Sequence, residues 1–107
     1  MVSIKKKEGK IMITKQDLIY MRLNHMHPNY KKIEEAIDDG LINMTKLGKK
    51  VITLYLNKII NGYLPEGMTV DVELMETLIV SRYKEAGYKI LKTSDSHLNT
   101  VYCFELI

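Results

Sequence analysis

The chain has no tryptophan, one cysteine and two prolines among its 107 residues. The single cysteine, Cys103, excludes an intramolecular disulfide and favours a reducing compartment, so we expect a cytoplasmic protein. No apolar run approaches the roughly 20 residues that cross a bilayer. A secretory signal is not expected, because the basic N-terminus is not followed by an apolar core and a small-residue cleavage site.

Charge of one sign does not dominate either. The chain has sixteen basic and thirteen acidic residues, and the resulting net charge of +3 does not by itself identify a binding partner. Four lysines lie near the N-terminus: Lys5, Lys6, Lys7 and Lys10. We predict that residues 1–13 form a flexible basic tail, with an arm that touches nucleic acid as the alternative, and that residues 14–107 form one domain.

The first half of the domain predicts two helices. Thr14 is a hydroxyl N-cap three residues before Asp17, so a first helix begins near Lys15 and ends near Asn24, ahead of Pro28. A second helix follows, because apolar residues recur there at spacings of three or four, and Gly48 favours its end. Its apolar positions are Tyr30, Ile33, Ile37, Leu41 and Met44.

The second half predicts three strands and a helix. Residues 51–56 are apolar on both faces, which is typical of a central strand. A packed loop over 57–68, a helix over 70–86 and a hairpin with strands 88–93 and 100–107 follow. The expected fold is α+β with the order α-α-β-α-β-β and a three-stranded, mainly antiparallel sheet packed on helices. An open, apolar terminal strand would favour self-association, at least as a homodimer.

Several segments together suggest a family. They are Met12-Ile13-Thr14-Lys15, an acidic helix from Ile33-Glu34-Glu35-Ala36-Ile37 to Gly48, a strand, a helix closing on Gly87-Tyr88-Lys89-Ile90, and a terminal strand. This layout resembles small accessory proteins of bacteriophages and prophages. The resemblance implies host takeover or anti-defence work by binding a protein, nucleic acid or nucleotide signal without chemistry. It carries over no binding residues.

No motif predicts catalysis. A Gly-rich phosphate loop and a nucleophile elbow are both missing, and Cys103 within a strand is typical of a small buried hydrophobe. The pairs Glu34-Glu35 and Asp38-Asp39 lie four residues apart, which is typical of a solvated helix face. We therefore expect a non-enzymatic protein.

The histidines invite a metal interpretation only weakly. His25 and His27 alternate in a helix–helix connection and would need further ligands, with His97 as one candidate. A closed zinc site needs four ligands and the chain has one cysteine, so we expect no cofactor.

The favoured hypothesis is a binding oligomer with a site at a subunit junction. Its candidate ligand-binding residues are Asn57, Asn61, Tyr63, Arg82 and Tyr83. An arginine beside tyrosines suits a phosphate or a stacked base, so the expected partner is a nucleotide-like ligand or a host protein. Ordinary structural roles for the same residues stay open: Tyr83 continues a buried stripe, and Arg82 can pair with Glu85 or Glu105.

The alternative is a winged-helix DNA-binding regulator. The second helix, the strand, a short helical turn near residues 57–62, the third helix and the hairpin follow the winged-helix order, with residues 94–99 as the wing. Asp71, Glu73 and Glu76 argue against it, because they occupy the half of the recognition helix that would meet phosphates and bases.

Overall fold

The computed structural model describes residues 12–105. Its elements are α1 (Lys15–Met26), α2 (Tyr30–Lys46), β1 (Val51–Leu54), α3 (Leu56–Gly62), α4 (Val72–Glu85), β2 (Lys89–Ser94) and β3 (Thr100–Glu105). The α+β class is confirmed. Within this range no helix combines the length and apolar character that crossing a bilayer demands. Of the predicted basic tail only Met12 and Ile13 are described, both with exposed side chains, and the rest lies outside these residues.

Local signals fix the helix ends. The Thr14 Oγ1 atom accepts the Asp17 N–H at 3.1 Å while Asp17 accepts the Thr14 N–H at 3.2 Å, a capping box that starts α1. Asp71 caps α4 by accepting the Leu74 N–H at 3.0 Å. The chain leaves α4 through Gly87, whose φ of 108° lies in the left-handed region, and the next N–H, of Tyr88, bonds back to the Tyr83 carbonyl.

The core lies between the helices and one face of the sheet. Four of the five predicted apolar positions of α2 are buried, whereas Met44 is 37% exposed. Phe104 is fully buried at the centre of the sheet, and its ring centroid lies 5.7 Å from that of Tyr83 and 5.9 Å from that of Tyr88. The end of α4 and the start of β2 are therefore anchored to the same aromatic cluster.

The sheet is antiparallel with the strand order β1-β3-β2, which corrects two predictions. The strand β1 lies at an edge and not at the centre, and β3 is paired on both sides over Thr100–Glu105, so it is not an open edge. The apolar run over residues 51–56 was not one buried strand, because β1 ends at Leu54 and Leu56 already begins α3. The central position belongs to β3 because it pairs with both β1 and β2. Residues 100–105 of the terminal strand therefore offer no open edge for self-association.

The helix α3 lies where a packed loop was expected, so the element order is α-α-β-α-α-β-β. Leu56 and Ile60 are fully buried and hold this short helix to the core. From α2 onward the order is α-β-α-α-β-β, which includes the helical turn that the winged-helix alternative requires.

Candidate functional site

The five candidate ligand-binding residues fall into two separate groups. Arg82 and Tyr83 lie near the end of α4 and line one cavity, which the other three do not line. Asn57 and Asn61 lie on α3, and Tyr63 directly follows it. Tyr63 is 38% exposed, and its carbonyl accepts the Asn29 side-chain N–H at 2.8 Å. The structure therefore does not bring the five together in one site.

Arg82 joins three helices. Its Nε and Nη2 donate to the two carboxylate oxygens of Glu34 at 2.5 and 3.1 Å, and its Nη1 donates to Gln16 Oε1 at 3.2 Å. The guanidinium carbon also lies 4.6 Å from the ring centroid of Tyr20. The hydrogen bonds to Glu34 raise the pKa of Arg82. These hydrogen bonds use the edge of the Arg82 guanidinium that would otherwise bind a phosphate in bidentate geometry.

Two buried tyrosines complete this network. The Tyr83 hydroxyl donates to Asp38 Oδ1 at 2.7 Å, and the Tyr30 hydroxyl donates to Glu34 Oε2 at 2.6 Å. Burial, and then the neighbouring carboxylate, raises the pKa of each phenol. The acidic helix is therefore more than a solvated face, because Glu34 and Asp38 bind groups of the core.

Sequence reasoning missed Glu34, Asp38 and Gln16 as members of this network. A signal for the two carboxylates was present: each directly follows a buried residue of the α2 stripe, Ile33 or Ile37, and so borders the core face of the helix. Gln16 carried no such signal, because its partner Arg82 lies 66 positions away in sequence.

Between these helices lies a cavity of about 370 Å³, which we name the α1–α2–α4 cavity. Its lining residues are Gln16, Glu34, Asp38, Arg82, Tyr83, Glu85, Ala86 and Tyr88. Three carboxylates face one guanidinium, so the lining carries net negative charge. Such a cavity repels a phosphate and favours a cation.

A second region lies at the end of the sheet that carries the β2–β3 turn. The wing predicted over residues 94–99 is shorter by one residue, because β2 includes Ser94, and the name is used below for residues 95–99. Asp95 Oδ1 accepts the N–H groups of His97 and Asn99 at 2.8 and 2.9 Å, which lowers the pKa of Asp95 and fixes the turn. The Tyr55 hydroxyl donates to Asp95 Oδ2 at 3.0 Å, and Lys58 Nζ lies 4.6 Å from the Tyr55 ring centroid. The start of α3 and the wing are thus tied together.

The carboxylates that argued against DNA binding are largely committed within the fold. Asp71 is the N-cap of α4. Glu76 is only 7% exposed and accepts the Tyr102 hydroxyl at 3.2 Å, and its burial raises the pKa of this carboxyl. Asp71 and Glu73 are both exposed, and Glu73 does not cap the helix. A shallow groove on the outward side of α4 is lined by Thr77, Val80, Ser81, Lys84 and Glu85.

The histidine pair does not form a metal site. His27 is fully buried, its Nε2 donates to the Ile60 carbonyl at 3.0 Å, and its Nδ1 accepts the Asn29 N–H at 3.0 Å. Both ring nitrogens of His27 therefore hold the α1–α2 connection against α3. Among residues 12–105 no three side chains of His, Cys, Asp or Glu are grouped to hold a metal ion.

No protein family, curated protein or solved structure matches this chain.

Proposed function

We propose that this protein is a non-enzymatic DNA-binding module of winged-helix type, with α4 as the recognition helix. The observation that carries the proposal is topological. From α2 to β3 the element order is α-β-α-α-β-β and the strands lie in the order β1-β3-β2, as in winged-helix domains. In that arrangement the second helix of a helix-turn-helix enters the major groove, and the wing contacts the adjoining backbone.

Surface chemistry supports this placement. The outward side of α4 carries Thr77, Ser81 and Lys84, which are able to hydrogen-bond with phosphates or base edges. Lys58 lies on α3 beside the Tyr55–Asp95 contact with the wing, and the exposed Lys92 lies on β2. Three such lysine–phosphate contacts give a slope of about −3 in a plot of log K against log salt concentration. We therefore expect modest affinity with a clear salt dependence.

Two observations favour DNA over a sequestered nucleotide. The pairing of Arg82 with Glu34 removes the cationic anchor that a nucleotide phosphate would need, and the α1–α2–α4 cavity is negative. In contrast, Glu76 is buried and accepts the Tyr102 hydroxyl, so this carboxylate does not face the outward side of α4, whereas Asp71 and Glu73 stay exposed. An accessory role in bacteriophages, acting in the cytoplasm of the host, is compatible with DNA binding and stays a prediction.

The test is fluorescence anisotropy of the full chain with a labelled DNA duplex at several salt concentrations. We expect Lys58→Ala and Lys92→Ala each to weaken binding and to reduce the salt slope by about 1. Glu73→Gln should strengthen binding, because it removes an exposed carboxylate from the recognition helix.

Lys50→Ala is the matched control. Lys50 precedes Val51, which pairs with Glu105 at the end of the sheet opposite the wing. The proposal is wrong if the full chain does not bind duplex DNA at low salt, or if Lys50→Ala lowers the slope as much as Lys92→Ala does.

A further inference from the structure

The lining of the α1–α2–α4 cavity carries more negative than positive charge. Among residues 12–105 the one ion pair joins Arg82 to Glu34, so Asp38 and Glu85 have no cationic partner in that part of the chain. Asp38 accepts the neutral Tyr83 hydroxyl, and Glu85 is exposed. The half-buried ring of Tyr88 lies in the same lining. Carboxylates beside an aromatic ring are the chemistry that binds an ammonium group.

The same cavity contains a donor without an acceptor. The Gln16 amide is oriented by Arg82, because its Oε1 accepts the guanidinium N–H. This leaves Nε2 buried with no hydrogen-bond partner within residues 12–105. Because an unmet buried donor is destabilising, an occupant of this cavity gains by supplying an acceptor such as a backbone carbonyl. The occupant should therefore combine an ammonium group with a peptide backbone.

The chain itself supplies such an occupant. Acidic and basic residues are equal in number within residues 12–105, so the net charge of +3 resides in the first eleven residues, with Lys5, Lys6, Lys7 and Lys10 against Glu8. The described structure begins four residues before Gln16, which lines the cavity. An extended chain spans at most about 3.5 Å per residue, so Lys10 can lie up to about 20 Å from Gln16 and Lys5 up to about 40 Å.

We propose that the α1–α2–α4 cavity is the docking site of the basic N-terminal segment of the same chain. A lysine ammonium of residues 5–10 donates to Asp38 and Glu85 across the face of Tyr88, and a backbone carbonyl of the segment accepts the Gln16 Nε2–H. The docking does not depend on DNA binding, so either proposal can fail without the other.

Paramagnetic relaxation in NMR tests the docking in the full chain. A nitroxide is attached at Ser3→Cys in a Cys103→Ser background, and the signals of the ¹⁵N-labelled protein are compared before and after the nitroxide is reduced. We expect the Gln16 side-chain amide and the backbone amides of Ala86 and Tyr88 to lose most of their intensity, whereas Thr53 on β1 keeps its own. Glu85→Lys, or high salt, should restore the lost intensity.

Glu35→Lys is the matched control, because Glu35 is an exposed residue of α2 that does not line the cavity. It should leave the intensity losses unchanged. Equal release by Glu35→Lys and Glu85→Lys would overturn the proposal, as would intensity losses confined to the residues next to the label. Docking onto a second copy is identified in a mixture of ¹⁴N protein that carries the nitroxide and ¹⁵N protein that does not. If the intensity losses occurred only in this mixture, docking within one chain would also be overturned.

Discussion

Replacing Arg82 by methionine removes the cation that holds α1, α2 and α4 together. Methionine keeps most of the aliphatic volume, so the change mainly removes the two bonds to Glu34 and the bond to Gln16. The side chains of Arg82 and Glu34 are 25% and 17% exposed, so water screens their interaction only in part. Glu34 keeps the Tyr30 hydroxyl as a partner, which limits the damage.

The magnitude follows from these contacts. A charged hydrogen bond contributes about 1.5–3 kcal/mol, and breaking a fully buried pair costs about 3–5 kcal/mol. With partial exposure and one remaining partner for Glu34, we expect Arg82→Met to lower the free energy of unfolding by about 2 kcal/mol. Glu34→Gln in the Arg82→Met background should restore part of this loss, because it removes the uncompensated charge.

Urea unfolding followed by circular dichroism measures all four members of this double-mutant cycle. Glu35→Gln is the control, since Glu35 is an exposed residue on the same helix and should change the stability by less than about 0.5 kcal/mol. The reasoning fails if Arg82→Met costs no more than this control. It fails equally if the two substitutions are additive, because the side chains would then not interact.

Three further predictions concern burial, ionisation and backbone geometry. Burial raises the pKa of Glu76 above its ordinary 4.5. The protonated carboxyl therefore contributes to stability below pH 4.5, and this contribution is lost as the pH rises through the raised pKa. Glu76→Gln should remove this fall in the free energy of unfolding between about pH 4 and 8, and an unchanged pH profile would contradict the prediction. Three buried phenols should ionise only well above pH 10 in an absorbance titration: those of Tyr30, Tyr83 and Tyr102. The pKa of Tyr102 is raised to about 12. Ionisation of all the tyrosines near pH 10 would refute their burial. Gly87→Ala should lower the unfolding free energy by about 1 kcal/mol, because φ there is 108°, and a neutral effect would argue against the left-handed end of α4.

Local signals in the sequence predicted α1, α2 and α4, but not α3, which lies where a packed loop was expected. The capping box at Thr14, the apolar stripe of α2 and the glycine after α4 each depend on residues within one or two turns, so they can be read from neighbouring letters. The strand order could not be read in this way. Which strand is central depends on pairing between residues such as Ile52 and Phe104, which are far apart in the chain.

The candidate functional site likewise combines features that local sequence signals predict with contacts between residues far apart in the chain. The sequence offers Arg82 and Tyr83 as candidate ligand contacts and leaves structural roles open for both. Their hydrogen-bond partners Glu34 and Asp38 lie on α2, more than forty positions away in sequence, so these contacts could not be predicted from neighbouring residues. Glu76 was predictable in hindsight. With Val72, Met75, Ile79 and Tyr83 it shares the spacing of three and four residues that marks the inward face of α4, so its carboxylate never faced the outward surface.

The central claim is that α4 and the wing bind duplex DNA. NMR chemical-shift mapping of the full chain during titration with a short duplex tests this claim most directly, because each backbone amide signal reports on the surroundings of its own residue. Binding through this surface predicts salt-sensitive shifts concentrated at Thr77, Ser81, Lys92 and the wing, with the start of β1 unaffected. The absence of shifts at low salt, or shifts confined to the α1–α2–α4 cavity, would contradict the claim.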